Sequence, residues 1–251
     1  MTLPFAELDP GSLALFLDFD GTLVSIAPRP ELVRLDPATR TVLERLYRRL
    51  GGALAIVTGR DLHNVDSLLA PLRVPVAAVH GAIRRRADGS IEQAGPDDGA
   101  FSRIAARLSP LSDSDPRLLL ESKRGSVALH FRGAPERAAE CVAAMRDATA
   151  GETAIERLPG NMLVEARRIG VHKGRAVEAF MMEAPFRGRR PVFVGDDTTD
   201  EDGFRAVNAL GGVSVRIGEG ETAALARVPD IGCFLRGLAR WTEGNRGNEP
   251  S

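Results

Sequence analysis

The chain has 251 residues, 43% of them hydrophobic, which is enough apolar material for one large domain or two small ones. A formal net charge of −1, with both signs spread along the sequence, offers no basic face for nucleic acid, and no apolar run is long enough for a membrane span. Cys141 and Cys233 stand far apart and read as lone thiols in a reducing compartment rather than as a disulfide framework.

The first residues, Met1 to Glu7, lack the basic and apolar regions of a signal peptide, so the expectation is a cytoplasmic protein, read here as a monomer. Leu13 to Leu17 is an apolar run that reads as a buried strand, and it ends at Asp18-Phe19-Asp20-Gly21-Thr22. Pro28 to Pro30 marks a loop. Asp36-Pro37 opens a helix with a capping side chain before a first-turn proline, and Ala38 to Leu50 carries apolar residues at helical spacing. Ala53 to Val57 is a second strand ending at Thr58-Gly59-Arg60. A helix from Asp61 to Leu69 follows, then a third strand, Val76 to Val79, ending at His80-Gly81. This βαβαβ rhythm predicts a parallel sheet covered by helices.

From Ile83 to Arg168 the pattern changes. Strands are expected at Leu118 to Glu121, Val127 to Phe131, Ala154 to Leu158 and Met162 to Glu165, and helices at Gly99 to Leu108 and Pro135 to Ala150. Paired strands with segregated helices suggest an inserted α+β module. Arg84-Arg85-Arg86 reads as a solvated turn. The alternating pattern resumes with a helix from Lys173 to Met182 and a strand from Pro191 to Val194. That strand ends at Gly195-Asp196-Asp197-Thr198-Thr199-Asp200-Glu201. A helix to Ala209, a strand from Val213 to Ile217 and a helix from Ile231 to Trp241 complete the core. The polar segment over residues 243–251 reads as a disordered tail. The expected architecture is α/β: a three-layer, parallel-sheet, Rossmann-like core formed by residues 1–82 and 169–242, with an inserted α+β cap over residues 83–168.

Three of these strands end in polar residues: Asp18 and Asp20, Thr58, and the Asp196 cluster. A parallel sheet puts those ends on one edge, where open α/β sheets hold their sites. Asp18 and Asp20, at i and i+2, point the same way, and like charges placed together raise a pKa or demand a cation. With Asp196, Asp197 and Asp200 the rim calls for a hard cation, and oxygen ligands favour Mg²⁺. Lys and Arg total 33, yet only Lys123 and Lys173 are lysines. Where arginine is the default cation, a retained lysine marks a need for a compact point charge. Lys173 opens a helix, whose first amides also favour anions. Thr58 and Gly59 offer a hydroxyl and an open amide to phosphate oxygens. The residues therefore point to metal-assisted phosphoryl transfer.

This set, in this order, resembles the haloacid dehalogenase-like phosphatases. The resemblance implies that Asp18 is the nucleophile, forming an aspartyl-phosphate, and that Asp20 is the acid–base. Asp18, the Asp20 carbonyl and Asp196 would hold Mg²⁺. Lys173 and Thr58 would stabilise the transferring group, and Asp197 and Asp200 would orient Lys173 or the metal's waters. Thr58-Gly59-Arg60, His80-Gly81-Ala82, Glu121-x-Lys123, Leu129-His130-Phe131-Arg132, Pro159-Gly160 and Glu165 extend the match, and with them the chain resembles the trehalose-6-phosphate phosphatases. That likeness implies an Mg²⁺-dependent phosphomonoester hydrolase of trehalose biosynthesis. Gly59, Arg60, His80, Gly81, Glu121, Lys123, Arg132 and Glu165 would meet the sugar phosphate, and the inserted module would be the family's cap. Ile83 and Asn161 stand where Glu and Lys are expected. Two alternatives remain open at this point. One is a related sugar phosphatase of the sucrose-phosphate or mannosyl-phosphoglycerate type; the other is a non-catalytic sugar-phosphate sensor.

Overall fold

The computed structural model describes residues 2–27, 32–95, 99–123, 125–160 and 162–243. The expected loop at Pro28 to Pro30, Asn161 and the expected tail beyond Glu243 lie outside the described residues. The chain divides into two compact units, one running up to Glu92 and resuming at His172, the other Gln93–Val171.

In chain order the strands are β1 (Leu13–Leu17), β2 (Leu54–Val57), β3 (Val76–Ala78), β4 (Ile83–Arg85) and β5 (Ile91–Gln93); then β6 (Leu119–Lys123), β7 (Ser126–His130), β8 (Ile155–Gly160) and β9 (Leu163–Arg168); then β10 (Arg190–Gly195), β11 (Val213–Ile217) and β12 (Ala226–Val228). The helices are α1 (Pro37–Arg49), α2 (Leu62–Leu69), α3 (Ala100–Asp113), α4 (Ala138–Ala148), α5 (Lys173–Met181), α6 (Glu201–Ala209) and α7 (Ile231–Glu243).

The first unit holds an eight-stranded sheet in the order β12-β11-β10-β1-β2-β3-β4-β5. Its strands are parallel from β12 to β3, and β4 joins antiparallel. Every residue of β1 and β2 is buried, as in a sheet covered on both faces. From β1 the chain winds outward through β2 and β3, then returns to β10 on the other side and winds outward through β11. The order thus reverses between β1 and β10. That switch point is where open α/β sheets form a crevice beyond their carboxyl ends.

The second unit is a four-stranded antiparallel sheet, order β6-β7-β9-β8. Strand alternation sends Val127, Leu129, Val164 and Ala166 to one face, where they pack with Ile104 and Leu108 of α3 and Cys141 and Met145 of α4. Glu121, Ala128, His130 and Glu165 share the opposite, polar face.

Three expectations are corrected. The module boundary moves from Ile83 to Gln93, because Ile83–Arg85 pairs with β3 and β5 closes the same sheet. Helix α3 runs past Leu108 to Asp113 with Pro110 inside it. Arg84-Arg85-Arg86 is no solvated turn. Arg84 pairs with Glu183 and Glu92 and lies over the Phe180 ring, and Arg86 pairs with the same two acids. Arg85 is buried, its Nη1 donates to both Asp66 oxygens at 2.6 and 2.7 Å, and its Nη2 donates to the Val74 carbonyl at 2.9 Å.

Replacing Arg85 leaves the Val74 carbonyl without its donor and Asp66 with only the longer 3.6 Å pair to exposed Arg73. We expect Arg85→Ala to cost about 3 kcal/mol, the low end for breaking a buried pair because Asp66 keeps 26% of its side chain in water. Urea unfolding checks this, and an unchanged midpoint would refute it.

Candidate active site

Four loops converge on the switch-point edge. Asp18 follows β1 directly, and its backbone N–H donates to the Val194 carbonyl of β10 at 2.9 Å, which ties the two central strands together at the site. Asp196 follows β10. Lys173 is the first residue of α5, capped by the His172 side chain, which accepts from Arg175 N–H.

Lys173 is the hub. Its ammonium donates to Asp18 Oδ1 at 2.7 Å and to Asp200 Oδ1 at 2.6 Å, and all three residues are buried. Burial works against the charge on Lys173, yet Asp18 and Asp200 outweigh it and hold the amine above its ordinary range. For Asp18 the balance goes the other way. Burial pushes its carboxyl well above the usual value, Lys173 opposes that, and the neighbouring Asp200 and Asp196 add to it. Burial, with Asp200 and Asp197 nearby, likewise pushes Asp196 up to about 6.

Asp18, Asp196 and Asp200 bring carboxylate oxygens within 4.8 Å of one another. Asp200 is not a free ligand, however. Its Oδ1 takes Lys173, and its Oδ2 accepts the N–H of Asp196 at 3.0 Å and of Asp197 at 2.9 Å. Asp200 therefore fixes both the lysine and the loop that presents Asp196. Asp197 behaves differently: it is exposed and caps the following turn, accepting from Thr198 N–H.

Glycine makes this density of charge possible. A Cβ on Gly21, whose φ is +79°, would lie 2.0 Å from Asp196 Oδ2, so Asp196 rests on that bare backbone. A Cβ on Gly195 would lie 2.3 Å from Asp200 Cγ. Thr22 adds a long contact to Asp196 Oδ1 at 3.5 Å.

Asp20 sits in a different environment. Arg60 grips both of its oxygens, Nε to Oδ2 at 2.6 Å and Nη2 to Oδ1 at 2.7 Å. The guanidinium is braced by Asn64 Oδ1 at 2.6 Å and lies over the Phe19 ring. Arg60, expected to meet substrate, thus holds the second aspartate, a role the sequence signalled only through the proximity of Thr58-Gly59-Arg60 to the rim.

Thr58 is buried at the end of β2, with its Oγ1 accepting from Arg60 N–H at 3.2 Å, and Gly59 follows. The turn is clamped from the next strand end: Val79 N–H donates to the Arg60 carbonyl and His80 N–H to the Thr58 carbonyl, each at 2.9 Å. To do so, Val79 and His80 take left-handed φ of 49° and 56°, a strained choice for a β-branched residue, and Gly81 continues it at 106°. His80 lies against Gly59, so its observed role is to shape the Thr58–Gly59 turn.

The remaining predicted residues lie in the second unit. Glu121 Oε1 pairs with Lys123 Nζ at 3.1 Å, and its Oε2 meets His130 Nε2 at 3.1 Å. The hydrogen bond from His130, with the Lys123 charge beside it, outweighs burial and pulls the Glu121 carboxyl down to about 2. Glu165 shares the polar face, Arg132 lies two residues beyond His130, and nothing in the sequence alone gives His130 a role of its own.

A hard divalent cation fits this donor set. Two raised carboxyls, Asp18 and Asp196, lie beside one lysine that is already shared with a third acid. Such a surplus of buried negative charge is what oxygen-ligated Mg²⁺ neutralises.

The family model described as trehalose-phosphatase matches residues 16–227. A probable trehalose-phosphate phosphatase of Sinorhizobium fredii is 43% identical over 92% of this chain and 87% of its own length. The trehalose-6-phosphate phosphatase of Escherichia coli K12 is 39% identical over 100% of this chain and 96% of its own. Among solved structures, a trehalose-6-phosphate phosphatase related protein superposes with a TM-score of 0.75 at 29% identity, covering 92% of this chain and 97% of that one. Among the described residues, no helix is long and apolar enough to cross a membrane.

Removing Lys173 leaves Asp18 without the cation that opposes its burial. A buried acid with a raised carboxyl binds more protons folded than unfolded, so stability falls as pH rises through that window. We therefore expect Lys173→Met to lose roughly 3–5 kcal/mol at pH 7 and to recover part of it near pH 5. Urea unfolding at the two pH values checks this; a loss independent of pH would refute it.

Proposed function

The chain belongs to the trehalose-phosphatase family, and from that premise we propose that it hydrolyses trehalose 6-phosphate to trehalose and phosphate through a phosphorylated Asp18. The observation that carries the chemistry is the buried Asp18 carboxylate at the β1–β10 switch point, held by Lys173 at 2.7 Å. A carboxylate aimed by one short bond, with a lysine opposing the pull of burial on its charge, is poised as a nucleophile.

In the first step an Asp18 oxygen bonds to phosphorus and the bond to the sugar oxygen breaks. Asp20 delivers the proton that the leaving sugar oxygen needs. In the second, water attacks phosphorus, Asp20 takes its proton, and Asp18 is released. Before the first step the Arg60 fork must free an Asp20 oxygen, since a carboxylate gripped at both oxygens has no proton to give. Lys173, the Thr58 hydroxyl and the Gly59 amide meet the charge on the phosphoryl oxygens, where preorganised donors contribute most. Asp18, the Asp20 carbonyl and Asp196 would hold Mg²⁺, which would supply further charge neutralisation there. Asp200 acts through Lys173 and through the Asp196 loop.

Sugar selection falls to the polar face of the second unit, with Glu121, Lys123, Arg132 and Glu165 as candidates for the hydroxyls. Polar pairs that hydrogen-bond a substrate hydroxyl also penalise an analogue that lacks it. The two unpaired thiols, buried Cys141 and half-buried Cys233, support a reducing, cytoplasmic setting.

Asp18→Asn, assayed with saturating Mg²⁺, should lower phosphate release by roughly a thousandfold or more; retained turnover would refute the nucleophile. Glu121→Ala and Lys123→Ala should each cost about 10- to 100-fold in kcat/KM on trehalose 6-phosphate, the worth of a hydrogen bond to a charged group. A small aryl phosphate should change less than about twofold. Equal losses on both substrates would remove these residues from sugar recognition. A panel of sugar phosphates tests the substrate itself.

A further inference from the structure

We propose that His130 is a positioning residue for sugar recognition, setting the plane of the Glu121 carboxylate; this rests on the reading of Glu121 given above. In the β6–β7 register Glu121 stands opposite Ala128 and His130 opposite Leu119, so His130 reaches Glu121 diagonally. That diagonal is within range of a long side chain when the directly opposed residue is small, as Ala128 is. The imidazole Nε2 lies 3.1 Å from Glu121 Oε2, and Lys123 Nζ lies 3.1 Å from Oε1. The carboxylate is thus held at both oxygens from two directions, which leaves its rotation no freedom while each oxygen keeps further acceptor capacity for a hydroxyl.

The rest of the face shows why orientation matters. Ala128 is opposed by Glu121 on one side and Glu165 on the other. Two strand spacings, about 10 Å, therefore separate the two acids across a floor made by one methyl group. A polyhydroxylated ring lying there is read by carboxylates on both sides, and a carboxylate free to spin would lose that match. Among the described residues of the four strands, the other charged groups on this face are Lys123 on β6, Arg167 on β9 and Glu156 on β8, the last two paired with each other at 2.9 Å, and Arg132 follows β7. With the Arg167 charge matched by Glu156, His130 and Lys123 are the donors seen on Glu121. The low Glu121 carboxyl is consistent with that grip.

The test compares His130→Ala, His130→Gln, Glu121→Ala and the His130→Ala/Glu121→Ala double variant, with trehalose 6-phosphate and an aryl phosphate as substrates. His130→Ala should raise KM for trehalose 6-phosphate about tenfold, with kcat and aryl phosphate turnover little changed. Gln, whose amide N–H reaches to the same place, should restore most of the loss. The double variant should be no worse than Glu121→Ala alone, as expected of residues acting as one unit. In parallel, the carbon-13 titration of the Glu121 carboxyl should move upward in His130→Ala. Equal loss on both substrates, multiplicative losses in the double variant, or an unmoved titration would overturn the proposal. Wild-type enzyme indifferent to trehalose 6-phosphate would overturn the substrate reading instead, and the titration would still decide whether His130 holds Glu121.

Discussion

A buried ammonium shared between two carboxylates organises the first unit. Lys173 is 3% exposed, Asp18 4% and Asp200 0%, so none of the three has water to fall back on. The arrangement persists because each charge answers another, and removing any one would strand its partners. Asp200 extends the constraint to the backbone by accepting two consecutive N–H groups with its second oxygen. The position of Asp196 therefore depends on Asp200, that of Asp200 on Lys173, and that of Lys173 on the start of α5. The surrounding backbone yields accordingly. Gly21 and Gly195 leave room where carboxylates sit, and Val79 and His80 accept left-handed geometry so that their N–H groups can clamp the Thr58 turn.

The same constraint is why a cation is proposed there. Neutralising Asp200 consumes one of the two short bonds of Lys173, so Asp18 and Asp196 together face less than one positive charge. Counting acids within reach would nominate Asp200 as a metal ligand as well, but its oxygens are already committed to one ammonium and two amides. Asp18, Asp196 and the carbonyl of Asp20 are therefore the ligands proposed for the cation.

Much of this was legible in the sequence because it is local. Asp18, Thr58 and Asp196 each stand where an apolar strand stops, and the stops of parallel strands share an edge, so the sequence alone places them together. Strands β4, β5 and β12 escaped because each is three residues long and interrupted by charge, whereas β3, equally short, is wholly apolar. Long-range ion pairs escaped for a different reason. Nothing local tells Arg85 that Asp66 awaits it, so a run of three arginines looks solvated until the fold supplies acids to each. Helix α3 runs past its expected end at Leu108, with Pro110 inside it and Leu111 beyond packed against the same core. His130 sits within Leu129-His130-Phe131-Arg132 with no task legible there, since its diagonal contact with Glu121 appears only with strand register.

Asp18 and Asp20 show how two identical side chains, two residues apart, come to differ. Asp18 points into the sheet's own crevice and is matched by a lysine that can do little but hold a point charge. Asp20 lies partly in water, with 37% of its side chain exposed, and is matched by a planar arginine fork. A buried pair is stiff, because breaking it exposes charge to an apolar interior. A partly solvated pair opens at modest cost, because water replaces what the arginine gives up. The proposed reaction needs that asymmetry: one carboxylate that stays fixed while phosphorus approaches it, and one that can change partners between the two steps. The brace from Asn64 and the ring of Phe19 then make Arg60 the fixed post from which Asp20 departs and to which it returns, so that mobility is confined to one short side chain while the rest of the site stays rigid.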